Sequence, residues 1–257
     1  MRIPRFFCGP SDRTGETISL PEAEARHAVR VLRLGPGARI TVLDNSGLEH
    51  EAIIEEADSE DGRASVRARI VESRQRSTEP APDFILLQGL PKGDKMDLIV
   101  EKATELGVQR IVPFLAERSV SRPDSQAGEK KAERWRRIAL EAAKQAGRAV
   151  VPEVEAPQSL DTALASLPDG CWLLVPWEGE RRRGLAEAVV AHNSEKSGEA
   201  GPVAVLIGPE GGLSQAEVGS AAAAGGVTVS LGPRILRTET AGLVALSCLL
   251  YATGNLE

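Results

Sequence analysis

The arrangement of apolar and polar residues changes near residue 84. Before that point, short β-rich stretches alternate with turn signals such as Gly35-Pro36-Gly37. After it, short apolar runs alternate with longer stretches in which apolar residues recur every three or four positions. Short apolar runs between turn signals are typical of strands, and the three-to-four spacing is typical of amphipathic helices. The pattern predicts a β-rich part followed by an α/β part.

Residues 1–72 are predicted to form a small β-rich domain with strands at 39–43, 52–56 and 64–71. It also contains one predicted helix, over residues 21–31, which has a proline in its first turn. Residues 73–83 contain two prolines and almost no apolar side chains, so they are predicted to be a linker. Residues 84–257 then form the second domain.

The second domain contains five apolar runs that are predicted to be strands and five periodic stretches that are predicted to be helices. The strands lie at 84–88, 111–114, 172–175, 203–207 and 227–231, and the helices at 94–106, 129–147, 181–191, 214–224 and 239–252. Strands that alternate with helices favour βαβ units, so the predicted fold class is α/β with a parallel sheet.

The composition limits the kind of protein. A chain of 257 residues that is 42% hydrophobic and 26% charged can bury a core, so global disorder is not expected. The three cysteines are far apart and form no C-x-x-C pair, which argues against a disulfide framework and a zinc site. The sequence has no apolar run near the ~20 residues of a membrane span and no secretory signal. We therefore expect a reduced, cytoplasmic protein without a metal or a membrane contact, with His50 and His192 at its surface.

The net charge of −6, taken alone, disfavours a nucleic-acid partner, but the charge is unevenly distributed. Residues 1–39 have a net charge of +3 and residues 73–150 of +4, whereas residues 40–72 have −6 and residues 151–257 have −7. A local positive patch is enough to attract phosphates, because salt screens charges beyond ~8–10 Å. An RNA partner therefore remains possible, and a mixed solvated surface is the competing interpretation.

Ligands of open α/β sheets bind beyond the carboxyl ends of the strands, where three unusual loops are predicted, at 175–179, 208–212 and 231–240. The middle loop reads GPEGG and matches neither of the glycine-rich phosphate motifs. Pro209 has no N–H group and Glu210 is negative, where a phosphate site needs donors. The loop thus favours an uncharged or cationic nucleoside such as S-adenosylmethionine, and a plain strand-to-helix turn is the alternative.

The third of these loops contains charged residues immediately before an apolar helix that must be buried on nearly all sides. Arg234, Arg237 and Glu239 lie within six residues there, and such charges are costly unless they are paired or functional. Two structural interpretations compete with a functional one. In the first, Arg237 and Glu239 form an ion pair; in the second, Thr238 or Thr240 caps the helix.

Several long segments together resemble the SPOUT-class small-subunit (16S) ribosomal RNA uridine-N3 methyltransferases, the RsmE type. The segments are PKGDKMDLIVEKATELGV, ERWRRIALEAAKQAGR, LIGPEGGLSQAEV and LGPRILRTETAGLVAL, with MRIPRFF and HAVRVLRLGPG at the N-terminus, all in the family's order. The resemblance implies an enzyme that methylates N3 of a specific uridine in 16S rRNA with S-adenosylmethionine. It also implies a PUA-like β-barrel, a SPOUT α/β domain with a C-terminal trefoil knot, and a homodimer.

The resemblance assigns the cofactor site to the three strand-end loops. The predicted cofactor-binding residues are Val175, Pro176, Gly208, Glu210, Gly211, Gly212, Leu231, Gly232, Ile235, Leu236 and Thr238. Backbone groups of these loops are expected to contact the adenine edge, and Ile235 and Leu236 to pack on its face.

The implied reaction also assigns roles to charged residues. Only the deprotonated N3 is strongly nucleophilic, so a base or a cation near the uracil carbonyls would promote transfer. Arg237 is predicted to supply the cation, and Glu239 to orient it or to accept the proton. The small-subunit rRNA, within a ribosomal subunit, is predicted to dock on Arg2, Arg5, Arg30, Arg33, Lys92 and Lys95.

Three other functions compete with this interpretation. A SPOUT enzyme that methylates the ribose 2′-oxygen would share the cofactor loops but not the N-terminal match or the RILRTET segment. A non-catalytic RNA-binding assembly factor could keep the same fold. A nucleotide-dependent α/β enzyme is disfavoured because the phosphate motifs are missing.

Overall fold

A computed structural model describes residues 3–59, 63–76, 78–195 and 201–256 of the chain. The chain divides into two compact units. The first comprises Met1–Glu79 and Ala143–Val151, and the second comprises Pro80–Ala142 and Pro152–Glu257. Within the described part, no helix combines the length and the apolar character that a membrane span requires.

The first unit is built on one six-stranded sheet. Its strands are β1 (Arg5–Phe7), β2 (Arg13–Thr14), β3 (Thr17–Ser19), β4 (Arg39–Leu43), β5 (Leu48–Asp58) and β6 (Ser65–Gln75). Their order is β1-β4-β5-β6-β3-β2, and all pairs are antiparallel except β1 with β4. Helix α1 (Glu22–Arg26) continues into a π-helical turn at His27–Val31, which together fill the predicted helix.

Two segments of the first unit lie outside the predicted domain 1–72. Strand β6 continues through residues 73–75 of the predicted linker, because the ladder with β5 extends to the pair Leu48 and Gln75. Ala143–Val151 also belongs to this unit. The Val151 N–H donates to Asn45 Oδ1 (2.7 Å), and Arg76 Nε donates to the carbonyl oxygen of Gly147 (3.1 Å).

His50 lies in the interior of the first unit, so its expected surface position is wrong. Its side chain is fully buried, with Nε2 3.1 Å from Asp44 Oδ2 and Nδ1 2.8 Å from Ser73 Oγ. Its strand, β5, turns this side chain inward. His192 is half-buried and stacks on Trp172, with ring centroids 3.9 Å apart.

The second unit contains a parallel sheet and the remaining helices. Its strands are β7 (Phe84–Gly89), β8 (Arg110–Leu115), β9 (Glu153–Val154), β10 (Gln158–Ser159), β11 (Trp172–Pro176), β12 (Val203–Ile207) and β13 (Val227–Val229). Its helices are α2 (Lys95–Glu105), α3 (Ser125–Ala146), α4 (Leu160–Ala165), α5 (Leu185–Glu195), α6 (Gln215–Ala223) and α7 (Thr238–Ala252), and the last residues of α3 belong to the first unit. The predicted α/β class with a parallel sheet is confirmed.

The sheet order brings the three predicted loops to one edge. The order is β10-β8-β7-β12-β11-β13, and every pair is parallel. Strands β7 and β12 form its centre and are buried at every position, which explains their almost entirely apolar sequences. The loops after β11, β12 and β13 therefore follow neighbouring carboxyl ends.

Helix α7 is less buried than its apolar sequence predicts. Its inner side, which includes Gly242, Leu246 and Leu249, is buried. Cys248 and Tyr251 are exposed on the other side, and the Tyr251 side chain is 70% exposed. The helix thus has one face that the second unit leaves uncovered.

Candidate functional site

The three strand-end loops meet around two adjoining clefts at the carboxyl edge of the sheet. The first cleft has a volume of about 650 Å³ and is lined by Pro176, Trp177, Glu178, Glu180, Arg181, Ser230, Leu231, Gly232, Pro233, Arg234, Ile235, Leu236 and Ala241. The second has a volume of about 640 Å³ and is lined by Lys92, Lys95, Pro176, Glu178, Ile207, Gly208, Pro209, Glu210, Gly211, Gly212, Leu213, Ile235, Leu236, Arg237, Thr238 and Ala241. Both volumes are typical of small-molecule sites.

The structure brings ten of the eleven predicted cofactor-binding residues to these clefts. Ile235 and Leu236 line both, and the Ile235 side chain is 91% exposed. Val175 is the exception, because its side chain is packed in the apolar core of the second unit. The predicted loops therefore form one connected site.

The glycine-rich loop is folded tightly against itself and against the end of β7. A Cβ on Gly208 would lie 2.9 Å from the carbonyl carbon of Gly212, and one on Gly89 would lie 2.7 Å from the Pro209 nitrogen. Gly212 has a φ of +69°, which favours glycine. These positions leave backbone, rather than side chains, at the floor of the second cleft.

Two linked hydrogen bonds, the first of them buried, tie three elements together beneath the second cleft. Gln88 Nε2 donates to Thr238 Oγ1 (2.9 Å), and that hydroxyl donates to the carbonyl oxygen of Gly208 (2.7 Å). Thr238 therefore joins β7, α7 and the glycine-rich loop and does not cap the helix. The N-cap residue is Arg237, and no side chain caps the helix there.

Replacing Thr238 with valine is expected to lower the free energy of unfolding by about 1–3 kcal/mol, because it leaves the half-buried Gly208 carbonyl and one N–H of the buried Gln88 amide without a partner. The measurement is unfolding in urea. The matched control is Thr240→Val, at an exposed position of the same helical turn, which should change the free energy by less than ~0.5 kcal/mol. Equal losses in both variants would contradict a structural role for the Thr238 hydroxyl.

Four charged side chains form a cluster at the mouth of the second cleft. Lys95 Nζ lies 2.9 Å from Glu210 Oε1 and 3.2 Å from Glu239 Oε2. Arg237 Nη1 is 4.0 Å from Glu239 Oε1, and its side chain is 82% exposed. The predicted pairing of Arg237 with Glu239 is therefore loose, whereas Lys95 holds both carboxylates.

The cluster fixes the protonation of its members. Burial alone would raise the pKa values of Glu210 and Glu239, but the Lys95 ammonium and backbone N–H groups outweigh it and lower both pKa values. The hydrogen bond to Glu210 raises the pKa of Lys95. At neutral pH the cleft therefore presents two carboxylates, one ammonium and one guanidinium.

Sequence reasoning missed two residues that support the site. Gln88 is the only fully buried polar residue of β7, and that break in an apolar run is the signal that could have identified it. Arg118 follows β8, and its Nη1 donates to the carbonyl oxygen of Gly211 (2.9 Å). Nothing in the sequence near Arg118 indicates this contact.

The predicted RNA-docking residues fall into two groups. In the first unit, Arg30 and Arg33 are exposed, whereas Arg5 Nη2 lies 3.6 Å from the buried carboxylate of Glu49. Lys92 and Lys95 line the second cleft. Arg2 lies outside the described residues.

The part of the chain that the structure describes holds no group of three or more His, Cys, Asp or Glu side chains that could bind a metal ion.

Comparison with known proteins places the chain among methyltransferases. The RNA methyltransferase domain family matches residues 78–250, and the RNA methyltransferase PUA domain family matches residues 20–65. The ribosomal RNA small subunit methyltransferase E of Bacillus subtilis is 37% identical over 237 residues, which cover 92% of this chain and 91% of that protein.

Two solved structures share the fold over nearly the full length. One is a ribosomal RNA small subunit methyltransferase E from Neisseria gonorrhoeae bound to S-adenosyl methionine, with a TM-score of 0.79, 31% identity and 97% of each chain covered. The other is a putative methyltransferase from Legionella pneumophila with bound cofactor SAM, with a TM-score of 0.77, 29% identity and 98% of each chain covered.

Proposed function

Because this chain belongs to the family of RNA methyltransferases that includes the ribosomal RNA small subunit methyltransferases E, we propose that it is an enzyme that methylates N3 of a specific uridine in small-subunit (16S) rRNA with S-adenosylmethionine. The observation that carries the proposal is the pair of clefts at the carboxyl edge of the sheet, formed by the three strand-end loops. Two of these loops, 208–212 and 231–240, lie in segments by which the chain resembles SPOUT-class enzymes.

The residues at the clefts fit this cofactor. The tight backbone at Gly208 and Gly212 allows a flat nucleoside to approach main-chain groups closely. Ile235 and Leu236 supply apolar contact for the adenine, and the ionised Glu210 suits a positive sulfonium better than a phosphate. When bound, S-adenosylmethionine supplies an electrophilic methyl group.

The charged cluster suits the other reactant, the uracil imide. Loss of the N3 proton places negative charge on the uracil carbonyl oxygens, and an exposed cation nearby stabilises that charge. Arg237 is the most exposed cation of the cluster and is assigned this role. Glu239 is ionised, so it is able to accept the proton or to hold Lys95 and Arg237 in place.

The proposed organisation divides the work between two domains joined within residues 73–83. Residues 1–72 form a PUA-like β-barrel that docks rRNA through Arg2, Arg5, Arg30 and Arg33, and residues 84–257 transfer the methyl group, with Lys92 and Lys95 contacting RNA at the cleft. The match of the RNA methyltransferase PUA domain family to residues 20–65 supports this division. The substrate is a ribosomal subunit in the cytoplasm.

A C-terminal trefoil knot is part of the proposal. After β13 at the edge of the sheet, the chain returns across its centre. There α7 packs against β7 and β12, where a Cβ on Gly242 would be in ordinary contact, at 3.5 Å, with Ile207 and Leu86. The loops 208–212 and 231–237 both line the second cleft, as expected where one passes the other. Knots are too rare to be expected from general topology rules. The support for a knot in this chain is therefore the return path of α7.

We assign the uncovered face of α7 to a homodimer interface. Tyr251 and Cys248 are exposed on a helix of largely apolar sequence, and Leu256 beyond it is 51% exposed. Burial of such a face against a second copy removes apolar area from water.

Reversing the charge of Arg30 and Arg33 to glutamate is expected to weaken binding of the small-subunit rRNA and to make it less salt-dependent, by about 0.7–0.9 in the log–log slope per lost phosphate contact. The measurement is RNA affinity at several salt concentrations. Lys130→Glu/Arg137→Glu, at two exposed side chains of α3, is the matched control. Affinity and slope that match this control would contradict RNA docking at Arg30 and Arg33.

The function itself is tested by methylation of small ribosomal subunits and of naked rRNA in vitro, with mass spectrometry of the digested nucleosides. We expect 3-methyluridine, and more of it from subunits. A ribose-methylated nucleoside would instead identify a 2′-O enzyme. The absence of product, together with no thermal stabilisation by millimolar S-adenosylmethionine, would identify a non-catalytic RNA-binding assembly factor.

A further inference from the structure

The positive charge of the acidic C-terminal segment is concentrated at one place. Residues 151–257 contain six basic residues, and five of them are arginines in two loops at the carboxyl edge of the sheet. Three are consecutive, Arg181, Arg182 and Arg183, in the turn before α5, and Arg234 and Arg237 lie between β13 and α7. Only Lys196 lies elsewhere, outside the described residues.

The two loops are joined at the first cleft. The Ser230 N–H donates to the carbonyl oxygen of Arg183 (2.8 Å), and the Leu185 N–H donates to that of Ser230 (3.2 Å). This places the turn 181–183 beside the start of the loop that carries Arg234. Arg181 and Arg234 both line the first cleft.

Glu180 orders the turn that carries the three arginines. Its Oε1 accepts the N–H groups of Arg182 (2.7 Å) and Arg183 (3.2 Å), and its Oε2 accepts the Thr228 hydroxyl (2.8 Å). These hydrogen bonds lower the pKa of Glu180 to about 2, with the backbone N–H of Arg182 as the main cause. The carboxylate therefore stays ionised and is occupied by the backbone of the turn.

The guanidinium groups, by contrast, are free for another ligand. Arg181, Arg182, Arg183 and Arg234 are exposed, and none forms an ion pair within the described part of the chain. Glu178 and Glu180 are the acidic side chains that share the first cleft with them. Arg181 and Arg234 balance these two carboxylates within the cleft lining, and the neighbouring Arg182 and Arg183 add an excess of positive charge beside it. Planar guanidinium groups suit the oxygens of phosphates.

We infer that Arg181, Arg182, Arg183 and Arg234 form an arginine rim along the first cleft that binds the phosphate backbone of the RNA strand next to the target nucleotide. The inference rests on the proposed methylation of rRNA and adds a contact within the methyl-transfer unit to those already assigned. The first cleft adjoins the second through the shared lining residues Pro176, Glu178 and Ala241, so an unstacked base beside the rim is able to reach the charged cluster. A strand bound by its phosphates at the rim would thus present one base to the clefts.

The test compares Arg181→Gln/Arg182→Gln/Arg183→Gln with Lys130→Gln/Lys131→Gln/Arg137→Gln, which removes the same charge from α3. Both are titrated with a small-subunit rRNA fragment at several salt concentrations, and both are titrated with S-adenosylmethionine. Loss of about three phosphate contacts should lower the slope of log affinity against log salt by about 2 and weaken RNA binding about tenfold or more at low salt. Cofactor affinity should stay at the wild-type value.

Each other outcome overturns the inference in a recognisable way. An RNA affinity and a slope equal to those of the α3 variant would show that the rim carries no RNA phosphate, while wild-type methylation would leave the proposed function intact. A change from dimer to monomer in the rim variant, measured by sedimentation, would show that the arginines pair with acids of a second copy. A wild-type chain that binds S-adenosylmethionine but no RNA would overturn the rim together with the rRNA substrate.

Discussion

Arg237→Ala is expected to lower kcat by about 10²–10³-fold, which is the loss that follows removal of one group that stabilises charge in a transition state. The Arg237 side chain is 82% exposed at the mouth of the second cleft, and its only acidic neighbour among the described residues, Glu239, is 4.0 Å away. Its guanidinium is therefore free to meet negative charge as it develops on the uracil. Because the ground state lacks that charge, the KM for RNA should change much less than kcat.

The measurement is steady-state methylation with the affinity for S-adenosylmethionine determined separately. Arg137→Ala, which removes an exposed guanidinium from α3, is the matched control and should leave kcat unchanged. A raised KM with an unchanged kcat would assign Arg237 to RNA docking.

Glu239→Gln separates the two roles that remain for this carboxylate. Its pKa is lowered and it already contacts Lys95, so we expect it to position cations more than to accept the proton. The loss of kcat should then be smaller than the ~10²–10⁴-fold that a general base supplies, with an unchanged pH profile. A loss within that range, with an altered pH profile, would make Glu239 the base.

The central sheet is predictable from sequence because the residues of each strand show by themselves that the strand is buried. Strands β7 and β12 are apolar at nearly every position and are buried on both faces, so composition alone identifies them. The three-residue strands β1 and β3 are different. Phe6 pairs with Val42 and Ile18 pairs with Ala68, so their structure depends on partners far along the chain. No local pattern contains that information.

The same distinction applies to the candidate site. Its loops are recognisable because proline, glycine and charge mark them at strand ends, and the sheet order then brings them together. The bond from Gln88 to Thr238 spans 150 residues, and the bond from Arg118 to Gly211 spans 93. Such long-range hydrogen bonds depend on the topology of the sheet, which cannot be read from the local sequence. The arginine rim was hidden for another reason, because the net charge of its segment is negative.

Gly208→Ala tests whether the tightly folded glycine-rich loop forms the floor of the cofactor site. The added methyl carbon would lie 2.9 Å from the Gly212 carbonyl carbon and 3.0 Å from the Leu213 nitrogen. Both are backbone atoms, so no side-chain rotation relieves the contact, and the loop must open. Overpacking of this kind costs about 1–3 kcal/mol.

That cost should appear in cofactor binding if S-adenosylmethionine requires the closed loop. In the free variant the loop opens and relieves the steric strain. Binding of the ligand must close the loop again, so the strain lowers the binding free energy. At 1.4 kcal/mol for each factor of ten, calorimetry should show a Kd about 10–100-fold higher.

The matched control is Gly219→Ala, where a Cβ in the middle of α6 meets nothing within 4 Å. This change should leave the Kd unaltered and stabilise the chain by about 0.5–1 kcal/mol. A normal Kd for Gly208→Ala with a lower free energy of unfolding would mean that the loop supports the fold and does not touch the cofactor.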